Sequence, residues 1–329
     1  MTRISFRQGY SENTRLARFR GCLIGGAIGD SLGMPVESYS RQMIRERFGE
    51  IRDLLPKQKK NFSQLAGSWT DDTYMTMLTA KSIIECGAVD IKHMTRAYFD
   101  ALNYNFGVAG TTRQALELRM AGQVITSLAK GRHGGAGAAS HIAPVGLLEY
   151  QNLEKLCLSA EQVSRITHLG QDAVDAAVLV AFTVGWIIKE ERDIYSLLGK
   201  IMTLAEQRQS NIYYGLKMIS DLLRSSKAAP NAIEVALEGM EEIGTDSLAL
   251  RLVPSALYAF MQFPDDYQKS VLAAVNAGGD TDTRAAITGT LSGAYNSLEG
   301  IPRRWINKIQ DKEVIFSYAD ELLLLTSEG

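Results

Sequence analysis

The chain has 329 residues, long enough for one large domain or two smaller ones and for a substantial buried core. A net charge of -2, from 35 basic and 37 acidic residues, and a pI near 6.2 argue against a dedicated nucleic-acid groove. Cys22, Cys86 and Cys157 are odd in number and lack C-x-x-C spacing, which argues against a disulfide framework or a zinc site. No secretory apolar core opens the chain, and no uninterrupted apolar run approaches the roughly eighteen residues of a membrane span, so a cytoplasmic setting without a membrane partner is expected.

Residues 1–16 carry Arg3, Arg7 and Arg15 against a single glutamate and are expected to form an exposed basic N-terminal arm, with 17–329 as one domain. From Leu16 the pattern turns helical. Gly21, Gly25, Gly29 and Gly33 fall four apart, on one helix face where another backbone can approach closely. Asp30, Ser31 and Glu37 follow as hard oxygen ligands or a base. Residues 41–66 read as a polar helix end and a loop, with Lys57, Lys59 and Lys60 as a solvated run.

The knot Gly67-Ser68-Trp69-Thr70-Asp71-Asp72-Thr73 then opens a helix that ends near Gly87, and Ile91 to Leu102 gives another. Thr111-Thr112 looks like a capped helix start. The most glycine-rich window, 131–141, contains Arg132, Gly134, Gly135 and Gly137. Free backbone N–H groups there could cradle a pyrophosphate, although glycine runs also occur simply as flexible loops. Gln162 to Lys189 reads as a buried helix following Thr167-His168, and a lone histidine such as His168 is commonly a core or cap residue. Ile194 to Ala205, Tyr213 to Leu223, Ala232 to Met240 and Ser255 to Phe263 continue the helical pattern. Alternating strand patterns are almost absent, so the predicted fold class is all-α: a compact single-domain orthogonal bundle.

Asn276-Ala277-Gly278-Gly279-Asp280-Thr281-Asp282-Thr283 is the stretch hardest to explain as packing. It repeats the grammar of the first knot, and Gly289 and Gly293 behind it again lie four apart. If the two helix starts face each other, Thr70, Asp71, Asp72, Asp280, Asp282 and Thr283 converge as six hard oxygen ligands. Such a set, with no His or Cys, selects Mg²⁺, Mn²⁺ or Ca²⁺ over zinc or copper, and as a pair of ions. Four carboxylates held together repel unless cations lie between them. The competing explanation is that Thr and Asp are ordinary helix caps.

These motifs resemble the ADP-ribosylglycohydrolase family, which includes the dinitrogenase-reductase-activating glycohydrolases. The resemblance covers about residues 18–310 and rests on Gly21 to Glu37, Trp69 to Thr76, Ile142 to Leu147, Thr167-His168, Gly278 to Thr283 and Gly300-Ile301-Pro302. It implies an all-α fold and narrows the metal to two Mg²⁺ or Mn²⁺ ions on the six residues above. It also implies hydrolysis of the bond between an acceptor, arginine first among them, and C1 of the distal ribose of ADP-ribose. Glu37, or one of the ligands Asp71 and Asp280, would activate water. Gly134, Gly135, Gly137, His168 and Thr111 would contact the substrate. An ADP-ribosylated protein is the implied partner.

Two departures mark this chain. Gly107-Val108-Ala109-Gly110 replaces an acidic and amide-bearing loop before Thr111-Thr112, and Ser140-His141 precedes Ile142-Ala143-Pro144 where Met-Arg is commoner. Acceptor specificity is therefore expected to be unusual. An alternative expectation is an immunity protein that occludes a cognate ADP-ribosyltransferase, with the basic arm as the feature that would bind it.

Overall fold

The computed structural model describes residues 12–59, 62–102, 110–122, 134–189, 192–225 and 231–327. Seventeen α-helices and one short hairpin make up the regular structure of these residues. The first helix, α1 (Glu12–Gly33), begins four residues before the apolar pattern does. α2 (Arg41–Phe48) is capped by the Ser40 hydroxyl, which accepts the Met43 N–H at 3.2 Å. The stretch read as a loop then folds into an antiparallel hairpin, β1 (Lys57–Lys59) with β2 (Phe62–Gln64), in which Lys57 pairs with Gln64. Lys57 is not part of a solvated run: its side chain is only 11% exposed and its Nζ meets Glu37 Oε2 at 2.8 Å. The side chains of Lys59 and Lys60 lie outside the described residues.

α3 (Asp71–Cys86) ends where expected, at Gly87 in the left-handed conformation, and α4 (Ile91–Ala101) is capped by Asp90. α5 (Gly110–Met120), α6 (Gly137–Ser140) and α7 (Ala143–Leu148) follow. The buried helix expected after Thr167-His168 is present, and residues 162–167 before it belong to a separate helix. α8 (Leu153–Thr167) stops at His168, and α9 (Gln171–Ile188) starts after Gly170, whose extended backbone turns the chain. α9 is long and apolar enough to cross a membrane, yet 83% of it is buried within the fold, as befits a core helix.

α10 (Ile194–Gln207), α11 (Tyr213–Ser225) and α12 (Ala232–Ile243) are amphipathic. α13 (Ala249–Gln262) starts well before Ser255 despite the proline at 254. Burial of Ala249, Leu252 and Val253, and the Ala249 N–H bond to the Gly134 carbonyl at 2.7 Å, hold the turn that Pro254 would otherwise end. α14 (Tyr267–Asn276), α15 (Thr281–Asn296), α16 (Arg303–Ile306) and α17 (Lys312–Ser327) complete the chain.

α15 is buried along almost its whole length and packs on α1, α9, α13 and α14. Its contact with α1 is an antiparallel seam. A Cβ built at Gly21 would run into the Gly293 backbone, one at Gly25 into Gly289, one at Gly29 into Ala285 and one at Gly33 into Thr281. The four-residue glycine period lets the two backbones touch along the interface. Tyr267 closes the seam from α14, its hydroxyl donating to the Gly25 carbonyl at 2.7 Å. This register sets the C-terminal end of α1, which carries Asp30 and is followed by Glu37, against the N-terminus of α15.

Candidate functional site

At the start of α3 the Thr70 hydroxyl is the cap, accepting the Asp72 N–H at 3.3 Å. Asp30, fully buried on α1, adds the rest. Its carboxylate accepts the Thr70 N–H at 2.9 Å, the Thr73 N–H at 3.1 Å and the Thr73 hydroxyl at 2.5 Å. Capping therefore accounts for Thr70, and Asp30 is a brace for this helix start. It leaves Asp71 and Asp72 unexplained.

The start of α15 is built differently. Gly278 and Gly279 have φ of 76° and 80°, a left-handed pair in which glycine avoids the strain a side chain would suffer. The turn lets two other backbones close on it. The Ser38 N–H donates to the Gly279 carbonyl at 2.8 Å, the Gly279 N–H to Tyr39 at 2.7 Å and the Asp280 N–H to Thr245 at 2.9 Å. Arg284 is buried beneath, its Nε donating to the Ala274 carbonyl at 3.0 Å and its Nη atoms to Thr245 and Gly278. Asp280 occupies the N-cap position but makes no capping bond with its side chain.

Both helix starts open on one cleft of about 340 Å³. Asp71 and Asp72 line it from α3, and Asp280, Asp282 and Thr283 line it from α15. Glu37 stands at the same cleft, 40% exposed and paired with Lys57. Burial pushes the Asp72 carboxyl well above the usual carboxylate range; Asp71, Asp30 and, from the other knot, Asp280 push it further, against the Ser140 hydroxyl that donates to it at 2.5 Å. Asp282 is raised in the same way, by burial first and then by Asp280, Asp72, Glu37 and Asp30. The two knots lie within each other's field.

The remaining expected residues divide. Gly135 and Gly137 line the cleft; Gly134 and Thr70 are not among its lining residues. Gly134 instead anchors a backbone bridge to α13, in which Ala136 N–H also donates to Ser247 at 3.1 Å. His168 lines the cleft, 4% exposed, with Nδ1 2.9 Å from the Thr167 hydroxyl. A Cβ at Gly137 would press on its ring. Thr111 stands in the first turn of α5, and its side chain lies outside the described residues, whereas Thr112 beside it reaches the cleft. Arg132 and the arm residues 1–11 also lie outside them.

Three residues were not assigned a role in the site from sequence. Ser140 ties the short α6 to Asp72, His141 forms part of the cleft wall, and Arg284 holds the glycine turn. For the first two, the signals were their position at the end of the glycine-rich window, immediately before Ile142-Ala143-Pro144, and their departure from the commoner Met-Arg pairing.

The donor set suits hard divalent cations: carboxylates and hydroxyls, no thiolate, and a mutual repulsion that a cation between them relieves. No group of three or more His, Cys, Asp or Glu among the described residues is already gathered as a metal cage.

Comparison with known proteins gives the family and the fold. The model of the ADP-ribosylglycohydrolase family matches residues 11–329. An uncharacterized protein of Archaeoglobus fulgidus is 31% identical over 317 residues, covering 93% of this chain and 95% of the relative. The ADP-ribosylarginine hydrolase Tri1 of Serratia proteamaculans is 25% identical over 96% of this chain and 82% of its own length. The ADP-ribosylhydrolase ARH3 of Bos taurus is 26% identical over 88% of each. A solved ADP-ribosylglycohydrolase-related protein complex superposes with a TM-score of 0.71 at 26% identity, covering 95% of this chain and 99% of that one. The chain belongs to the ADP-ribosylglycohydrolase family.

Proposed function

We propose that this protein hydrolyses the glycosidic bond between C1 of the distal ribose of ADP-ribose and an acceptor side chain, with arginine the first candidate acceptor. The observation that carries the reading is the shared cleft: acids from two helix starts some two hundred residues apart face it together with Gly135, Gly137 and His168. The Tri1 relative, named as an arginine hydrolase, supports the acceptor.

In this reading Asp71, Asp72, Asp280, Asp282 and Thr283, with Thr70 beside them, would hold two Mg²⁺ or Mn²⁺ ions. When bound, the ions supply a template for ribose hydroxyls and a Lewis acid. The surrounding residues do the rest. Gly135 and Gly137 let the pyrophosphate approach the backbone without a side chain between, and His168 walls the cleft beside them. Cleavage develops positive charge at C1 and its ring oxygen, which an acidic floor stabilises. Water attacks C1, the bond from C1 to the acceptor nitrogen breaks, and one water proton passes to a carboxylate. Glu37, steadied by Lys57, is favoured for that proton, with Asp71 and Asp280 as the alternatives. The acceptor nitrogen leaves with a proton returned from solvent or from the same base.

The test is to incubate the purified protein and Mg²⁺ with ADP-ribosylated arginine and serine peptides and to measure free ADP-ribose. Release from the arginine conjugate is expected. Glu37→Gln should slow it by roughly 10²- to 10⁴-fold with little change in KM. Absence of release from every conjugate, in Mg²⁺ and in Mn²⁺, would contradict the reading.

The occlusion alternative rests on residues 1–16, of which only 12–16 are described, as the first turns of α1. No observation carries it further.

A further inference from the structure

His141 is one of the two departures from the family's commoner Met-Arg pairing, and the structure puts it in the cleft wall. The residue is 3% exposed. Its ring stands edge-on to Tyr98, with centroids 5.7 Å apart and an interplanar angle of 81°. Just before it in the chain, the Ser140 hydroxyl donates to Asp72, so the imidazole is fixed relative to the acidic floor. One ring nitrogen is engaged by the Gly137 carbonyl, whereas Nε2 is buried and has no hydrogen-bond partner among the described residues. Donation to Gly137 places the ring proton on Nδ1 and leaves the lone pair on Nε2. Burial, and then the neighbouring His168, lower the pKa to about 3, so the ring is neutral at physiological pH. A buried acceptor without a donor calls for an explanation, such as an ordered water or a bound ligand, and His141 is the one such side chain among the described residues of the cleft lining.

We infer that Nε2 of His141 accepts a hydrogen bond from a hydroxyl of the distal ribose, making His141 a substrate-binding residue of this chain. The inference rests on the reading of the cleft given above. Its geometric ground is the pairing of an unmatched acceptor in the wall with a neighbour tied to Asp72. In that reading the distal ribose brings hydroxyl donors to the acidic floor, and ADP lacks that ribose.

Binding of ADP-ribose and of ADP in Mg²⁺, measured by titration calorimetry on wild type, His141→Phe and His141→Gln, tests this. Phe keeps an aromatic wall and removes the acceptor; the Gln amide oxygen restores one. The expected result is a loss of about ten-fold in ADP-ribose affinity for His141→Phe, recovery of most of it in His141→Gln, and ADP affinity alike in all three. Three results would overturn the assignment in a variant of unchanged Tm: ADP-ribose binding undiminished in His141→Phe, which means that an ordered water alone meets Nε2; equal weakening of ADP and ADP-ribose; and a defect confined to ADP-ribosylarginine, which moves the donor to the acceptor. If His141→Phe proves unstable, failure of the folded His141→Gln to bind ADP-ribose better than ADP also overturns it. Failure of wild type to bind ADP-ribose at all would instead remove the underlying reading of the cleft.

Discussion

Asp72 and Asp282 are carboxyls that folding places where ionisation is costly. Their folded pKa lies above the unfolded value, so above about pH 4 the unfolded chain has released protons that the native state retains. Stability from these two groups therefore falls as pH rises from the unfolded value to the raised one. The sign gives a test without substrate. In EDTA, Asp282→Asn should match wild type in Tm near pH 4 and exceed it increasingly toward pH 8. Adding Mg²⁺ should reverse the order at pH 8, because only wild type offers the full carboxylate set. A constant Tm difference across pH would show that Asp282 is not held in the repulsive field described.

The same scale shows what one sequence reveals. Thr70 as a cap and Asp71, Asp72, Asp280 and Asp282 as surplus acid were legible, because a helix start needs one capping oxygen and these offer several. Ser140 and His141 stood out only as a departure from the commoner Met-Arg pairing: what matters about them is an unmatched lone pair and a bond across 68 residues, and neither leaves a local pattern. Lys57 was misread for a similar reason. A lysine in a polar run resembles any solvated lysine until its partner, Glu37, is known.

Among the elements, the seam between α1 and α15 decides the site. Glycine period four was readable as a close-contact face, and both halves of it were visible; the pairing register between them was not. Gly29→Ala would drive a methyl into the Ala285 backbone, which cannot yield as a flexible side chain can. A loss of about 3 kcal/mol is expected in chemical denaturation. Gly199→Ala, in the interior of α10 where a Cβ meets nothing within 4 Å, should instead stabilise by roughly 0.5–1 kcal/mol. Equal effects at the two positions would contradict the seam. Element ends were less legible than elements. Pro254 hid the first turn of α13, whose support is tertiary, and the hairpin of β1 and β2 is too short for alternation to register.

For the whole molecule, the central claim is spatial: corners far apart in the chain form one floor. The antiparallel seam delivers the end of α1 to the start of α15, Asp30 then braces the start of α3, and the Gly278-Gly279 turn aims Asp280 at the same space. Helical class and the family followed from pattern and motif, whereas the convergence had to be seen in three dimensions.

The most direct measurement is the Mg²⁺-dependent rise in Tm of wild type, Asp71→Ala and Asp280→Ala at pH 8, read beside ADP-ribose release from the arginine conjugate. A concentration-dependent rise is expected in wild type, with loss of both the rise and the release in each single variant, if both corners hold the same ions. Full retention of the Mg²⁺ effect and of turnover in either variant would show that the corners do not act as one site.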